Sequence, residues 1–166
     1  MRITNVRIQN FRLLDDCNVR LDDLTTVLVG KNNAGKTSFS CIIQLFMNNK
    51  KFMFDDFSIN CHPKFVNTYK EYVKVKDDNE KLEDFFNEID QKVPSIEMQL
   101  DIEYGIDDNW SNIRPLLTTL DSLNNLQILF SYEIKEPKAY LEKLHVEMRK
   151  IKIKKKEEKA KIIELV

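Results

Sequence analysis

The side chains with the clearest chemical potential are Lys36, Thr37 and Ser38, which directly follow a loop bounded by Gly30 and Gly35. A lysine next to a glycine places a positive charge where another molecule can approach the backbone closely. The spacing is G-x-x-x-x-G-K-[ST], the P-loop pattern, in which backbone N–H groups surround a chain of phosphates. It predicts a phosphate-binding segment made of Gly30, Lys31, Asn32, Asn33, Ala34, Gly35, Lys36, Thr37 and Ser38.

Each predicted role follows from the chemistry of a nucleoside triphosphate. Lys36 reaches the β- and γ-phosphates as a point charge, and the Thr37 hydroxyl ligates Mg²⁺. Asn32 and Asn33 tolerate positive φ angles better than most residues, which suits a tight loop. We therefore expect ATP and Mg²⁺ as the cofactors, with Thr37 as the protein's metal ligand.

The elements on both sides of the loop are those that a P-loop requires. Residues 26–29 form a short apolar run, which predicts a buried strand at the centre of the sheet. After the loop, apolar residues recur at the spacing of one helix face, at Phe39, Ile42, Ile43 and Phe46. The unpaired N–H groups and the positive dipole end of that helix favour an anion at its N-terminus.

Composition restricts the class of protein. The chain has 166 residues and a formal net charge of −1, so there is no global basic signal for nucleic acid and any DNA-binding patch is local. Cys17, Cys41 and Cys61 are widely spaced and form no C-x-x-C pair, which predicts reduced packing cysteines rather than a disulfide framework or a zinc site. The first residues contain no apolar signal-peptide region, and no run is long enough to span a bilayer. We expect a cytoplasmic protein with no membrane partner.

Alternation of apolar and polar residues predicts strands at 2–9, 17–21, 96–104 and 126–134. Strict alternation is typical of antiparallel strands that have one face in water. We therefore expect an α/β fold with a mixed sheet, in which strand 26–29 is central and the alternating strands form an antiparallel layer.

Two segments between these strands predict helices. Residues 62–92 are polar and helix-leaning, with one apolar stripe at Leu82, Phe85, Phe86 and Ile89. Residues 110–120 predict a short helix that Pro115 kinks or stops.

The last segment, residues 137–166, predicts one helix with a proline at its start. Its apolar residues recur at coiled-coil spacing, at Leu141, Leu144, Met148 and Ile151. Residues 149–161 contain eight Lys or Arg side chains, which indicates either a contact with DNA phosphates or a solvated helix face leading to the rest of a longer protein. We predict a domain at 1–136 and, after it, a basic helix that begins a coiled coil or dimerisation segment.

Several acidic residues are candidates for a catalytic carboxylate. Asp55 and Asp56 can touch Mg²⁺ or an attacking water, or can instead cap the next helix or face solvent. A Walker B carboxylate follows consecutive apolar residues on a buried strand, whereas Leu100 and Asp101 belong to a strictly alternating segment. Glu133 follows an apolar stretch but lacks the adjacent aspartate of that motif. The sequence therefore assigns no catalytic residue.

Two motifs resemble the ATPase domain of the OLD (overcoming lysogenization defect) family: Ile8-x-Asn10-Phe11-Arg12, and the loop at 30–37. This family comprises ATP-dependent nucleases and includes the ATPase-nuclease subunits of Gabija-type antiphage defence. The resemblance implies a P-loop NTPase fold, in which this chain is the N-terminal lobe of an ABC- and SMC-like ATPase head. It also implies that Arg12 lies near the nucleotide, and that the complete protein acts on DNA.

The resemblance also implies that the complete protein serves in antiphage defence or DNA repair. It implies that the head dimerises or forms a larger assembly, and that the protein works with a partner protein of a defence system. The resemblance places the Walker B pair, the Leu-Ser-Gly-type signature and a TOPRIM nuclease domain later in the family's length. Two functions therefore stay open. The chain is the N-terminal, ATP-binding half of an ATP-dependent, DNA-acting endonuclease, or it is a non-catalytic nucleotide-binding module that requires a partner chain for ATP hydrolysis.

Overall fold

A computed structural model of the chain describes residues 1–105, 108–109, 111 and 125–163, with side chains up to residue 153. The predicted helix at 110–120 lies outside the described residues. The chain divides into two compact units: the first comprises 1–63 and 95–133, and the second comprises 64–94 and the chain from residue 134 on. The predicted domain boundary after residue 136 stays a prediction.

The first unit contains a four-stranded sheet in the order β2-β1-β3-β4, in which each neighbouring pair is antiparallel. The strands are β1 (Arg2–Phe11), β2 (Leu14–Arg20), β3 (Ile96–Glu103) and β4 (Asn125–Tyr132). These are the strands that alternation predicted, and their antiparallel pairing is confirmed.

The register of the sheet places one apolar face in the core. Ile8 of β1 lies opposite Cys17 of β2 on one side and Met98 of β3 on the other. Ile8 and Met98 are completely buried, because every second residue of a strand points to the same face. The predicted helix after the loop, α1 (Lys36–Met47), is present and buries Phe39 and Ile42.

The predicted central strand at 26–29 is wrong for the described residues. The segment forms no strand, and 72% of Val27 and 86% of Val29 is exposed. A strand is buried only where neighbouring strands pair with it and other elements cover its faces. All four described strands pair among themselves, and the sheet that they form is antiparallel rather than mixed.

The second unit consists of helices. They are α2 (His62–Val75), α3 (Asn79–Asn87), α4 (Ile89–Lys92) and α5 (Pro137–Ile163). Tyr72, Phe85, Ile89 and Leu141 are buried together, so the predicted apolar stripe is confirmed as part of a core. The Asp78 side chain caps α3 by accepting a hydrogen bond from the N–H of Lys81.

The start of α5 at a proline is also confirmed. Leu141 is buried, Leu144 and Met148 are half-buried, and Ile151 is exposed. The side chains after residue 153 lie outside the described part of the chain, so the coiled coil and the DNA contact stay predictions. Among the described residues, no helix is both long enough and apolar enough to span a membrane.

Two valines with opposite surroundings test this fold. Val6 of β1 is 1% exposed, whereas Val29 is 86% exposed. We expect Val6→Ala to lower the free energy of unfolding by about 1.5–3 kcal/mol, because it removes buried methyl groups and leaves a cavity. Val29→Ala should change it by less than about 0.5 kcal/mol. Equal losses in denaturant titrations would contradict the exposed position of residues 26–29.

Candidate nucleotide-binding site

The site is built on the N-terminus of α1, which begins directly after Gly35. Gly35 has a left-handed backbone conformation, with φ 86° and ψ 5°, and no side chain caps the helix. The first helical hydrogen bond runs from the N–H of Phe39 to the carbonyl of Gly35, at 2.9 Å. The N–H groups of the residues between them therefore have no acceptor within the helix. Asn33, with φ 66°, takes the positive φ predicted for this loop.

Gly35 cannot be replaced without strain, for two reasons. Its positive φ is unfavourable for residues with a Cβ atom. A Cβ at this position would also lie 2.6 Å from Cδ2 of Leu14 and 3.8 Å from Cβ of Leu13. The turn between β1 and β2 thus packs directly on the loop.

The Lys36 side chain connects the end of the loop to its beginning. Its Nζ donates hydrogen bonds to the carbonyl oxygens of Gly30, at 2.6 Å, and of Lys31, at 2.7 Å. An ammonium group has three N–H donors, so the same side chain can bind the loop and an anion together. The carbonyl groups of Gly30 and Lys31 therefore hold the Lys36 side chain in place.

A cavity of about 430 Å³ lies at this loop. It is lined by Leu13, Asn32, Asn33, Ala34, Gly35, Lys36, Thr37 and Ser38. The structure thus gathers most of the predicted phosphate-binding residues around one cavity. Leu13 was missed, because a single exposed leucine in a turn gives no sequence signal of a ligand site.

Arg12 does not line this cavity, but its neighbour Leu13 does. The Arg12 guanidinium donates from Nε to Oδ1 of Asp56 at 2.9 Å, and its Nη2 lies 2.8 Å from the same oxygen. It also lies over the ring of Phe11, 5.0 Å from the centroid. The hydrogen bond to Asp56 raises the pKa of Arg12 above its already high ordinary value, and the Cys41 thiol of α1 also contributes. The Asp56 carboxylate therefore holds the Arg12 guanidinium in a fixed position.

The remaining carboxylates occupy other positions. Asp55 faces solvent, as expected, but Asp56 is only 4% exposed and neither faces solvent nor caps the next helix. Its Oδ2 accepts the N–H of Met53 at 2.8 Å, which closes the 3₁₀ turn Phe54–Asp56. Asp101 accepts a hydrogen bond from Asn5, and Glu133 is exposed.

No group of three or more His, Cys, Asp or Glu side chains that could hold a metal exists in the described parts of the chain. Cys17 and Cys41 are half-buried and Cys61 is buried, and none of these three cysteines is in a disulfide. The oxygen donor at the loop is the exposed hydroxyl of Thr37. A hydroxyl supplemented by phosphate and water oxygens is a donor set that fits Mg²⁺, which prefers oxygen ligands and keeps several waters.

Comparison with known proteins agrees with this geometry. Residues 1–165 match the AAA ATPase domain family. The chain belongs to this family. It is also 27% identical, over 130 residues, to the endonuclease GajA of Bacillus cereus (strain HuB5-5). That match covers 74% of this chain and 18% of the relative, so the chain spans less than a fifth of the relative's length.

These matches confirm, at the family level, the resemblance to the ATPase domain of an ATP-dependent nuclease that the motifs predicted. An AAA ATPase domain has a P-loop NTPase fold of the α/β class, which the loop and α1 represent here. Binding of a nucleotide is a property of this family.

The packing of the turn on Gly35 gives a prediction for stability. We expect Gly35→Ala to lower the free energy of unfolding by at least about 1 kcal/mol, because the φ strain and the collision with Leu14 act together. Gly30→Ala is the matched control, since its nearest neighbour would be Cβ of Ala34 at 3.3 Å. Combining Gly35→Ala with Leu14→Ala should remove the collision but keep the strain. Denaturant titrations that find Gly35→Ala as mild as Gly30→Ala would refute this account of the loop.

Proposed function

We propose that this chain binds ATP with Mg²⁺ at residues 30–38, as the nucleotide-binding part of an ATP-dependent nuclease of the OLD type. The observation that supports this most strongly is the loop itself. Three features lie at one cavity there: Gly35 in the left-handed backbone conformation, a helix N-terminus without a side-chain cap, and Lys36, whose Nζ binds a carbonyl group of the loop.

The backbone supplies most of the phosphate site. The N–H groups of Lys36, Thr37 and Ser38 are free of helical acceptors, and the positive end of the α1 dipole lies at the same place. An anion bound there satisfies these donors without removing any other hydrogen bond. Lys36 adds a full positive charge on the side of the loop where its Nζ already holds two carbonyl groups.

Thr37 is the proposed protein ligand of the metal ion. Its side chain is exposed beside the cavity, in the position that follows the P-loop lysine. When bound, Mg²⁺ neutralises phosphate charge and orients the phosphate oxygens. In this proposal the Thr37 hydroxyl would hold the metal ion next to α1, and the Lys36 ammonium group would contact the phosphates.

Arg12 is the proposed second cation of the site. Its pair with Asp56 uses Nε and Nη2, two of the three nitrogens of a guanidinium that carries five N–H donors. Arginine remains charged at all physiological pH values and binds phosphate oxygens well. The support for this role is its position one residue before Leu13, which lines the cavity.

The larger assembly follows from the resemblance and from the named relative. We propose that the chain is the N-terminal lobe of an ABC- and SMC-like ATPase head in a cytoplasmic antiphage defence protein. In this proposal the head dimerises or forms a larger assembly, the complete protein acts on DNA, and it works with a partner protein of the defence system. The relative is named an endonuclease, which supports DNA as the eventual substrate.

Removal of the P-loop charge tests the binding site directly. We expect Lys36→Ala to weaken the binding of Mg²⁺·ATP by about 1.5–3 kcal/mol, because hydrogen bonds to charged groups contribute on this scale. The control is Lys50→Ala, which removes an exposed lysine from the segment that follows α1. Calorimetry that finds the same affinity in Lys36→Ala as in the parent would remove Lys36 from the site.

The alternative function, a module that needs a partner chain for hydrolysis, gives a separate prediction. The sequence contains no recognisable Walker B pair or signature segment. Phosphoryl transfer depends almost entirely on positioning and charge stabilisation. We therefore expect a purified polypeptide of residues 1–166 to bind ATP but to release phosphate only at a slow background rate.

A phosphate-release assay checks this, with Lys36→Ala as the control for contaminating ATPases. Robust turnover that disappears in Lys36→Ala would contradict the prediction. It would show that a catalytic carboxylate exists within this chain.

A further inference from the structure

We infer that Asp56 is a positioning residue, which holds the Arg12 guanidinium in place beside the phosphate cavity. This inference rests on the proposed nucleotide site at residues 30–38. It assigns a role to a buried carboxylate that contacts neither the loop nor the cavity in the structure.

The Arg12–Asp56 pair is built differently from a surface ion pair. Asp56 is 4% exposed, and both of its oxygens accept hydrogen bonds: Oδ1 from Arg12 and Oδ2 from the N–H of Met53. A buried carboxylate requires such partners, because desolvation of an unpaired charge is costly. The 3₁₀ turn therefore fixes the carboxylate, and the carboxylate fixes the guanidinium.

Two backbone hydrogen bonds connect the segment that carries Arg12 to the segment that carries Asp56. The N–H of Arg12 donates to the carbonyl of Asp56 at 2.8 Å, and the N–H of Ser58 donates to the carbonyl of Asn10 at 2.9 Å. Asn10 and Arg12 both have positive φ angles, of 61° and 48°. Left-handed backbone at a long side chain such as arginine is uncommon and persists where the surroundings enforce it. The segment after α1 thus imposes the conformation of the turn that carries Arg12.

The same turn leads directly to the loop. Leu13 lines the cavity, and Leu14 occupies the space that a Cβ on Gly35 would need. Arg12 consequently belongs to the turn that packs on Gly35, directly before α1.

A mobile arginine side chain loses considerable conformational entropy when it binds a phosphate, whereas one that is already held loses less. Asp56 reduces this loss by engaging Nε and Nη2, and a guanidinium has further N–H donors for a phosphate. Removing the negative charge of Asp56 while keeping its shape should therefore weaken nucleotide binding through Arg12. This loss of affinity requires no change in the loop at residues 30–38.

The test measures affinity for Mg²⁺·ATP in Asp56→Asn, Arg12→Gln and the double variant. We expect Asp56→Asn to weaken binding about tenfold, and the double variant to bind no more weakly than Arg12→Gln alone. Asp55→Asn is the matched control, since it makes the same chemical change at the neighbouring exposed position and should leave affinity unchanged. Thermal unfolding curves of each variant identify a temperature at which all of them are folded, and affinities are compared at that temperature.

A purely structural role of Asp56 would give a different result. Asp56→Asn would then lower the melting temperature but leave the affinity of the folded protein unchanged, or weaken it equally in the Arg12→Gln background. Either result overturns the inference.

If Asp56→Asn does not fold, Asp56→Glu replaces it. This variant keeps the charge and displaces the carboxylate by one methylene group, so the same loss of affinity through Arg12 is expected. If the parent protein does not bind Mg²⁺·ATP at all, the proposed nucleotide site fails first, and Lys36→Ala then also shows no difference from the parent.

Discussion

The close contact between Leu14 and Gly35 is the constraint on which the site depends. A Cβ at Gly35 would lie 2.6 Å from Cδ2 of Leu14, so any other residue at this position requires the Leu14 side chain to move. The contact joins the β1–β2 turn to the start of α1, and the sheet register fixes that turn because Phe11 pairs with Leu14. The phosphate loop is therefore positioned by an antiparallel hairpin.

Much of this arrangement can be predicted from the sequence. Alternation identifies β3 because each of its apolar residues from Ile96 to Ile102 points to one buried face. The loop pattern identifies this segment because it fixes a glycine at position 35, where the positive φ of the backbone favours that residue type. Local patterns succeed where the physical requirement is itself local.

The remainder depends on tertiary contacts that leave no local pattern. Residues 26–29 are apolar, and for that reason the sequence predicts a buried strand there. A buried strand also needs neighbouring strands to pair with, and the four described strands pair with one another. Asp56 reads as a solvent-facing or capping residue, but its surroundings are set by Arg12, which lies 44 positions away in the chain. Leu13 and Leu14 acquire their roles only once the hairpin is folded.

We propose that a triphosphate binds to the backbone N–H groups at the start of α1. Amide hydrogen exchange, measured residue by residue with and without Mg²⁺·ATP, tests this binding at the level of single N–H groups. We expect slower exchange at residues 36–38 when the nucleotide is present, because these N–H groups have no acceptor within the helix and would gain one. Little change is expected in the exposed segment 24–29. Binding of the nucleotide with unchanged exchange at residues 36–38, and protection elsewhere, would contradict this mode of binding.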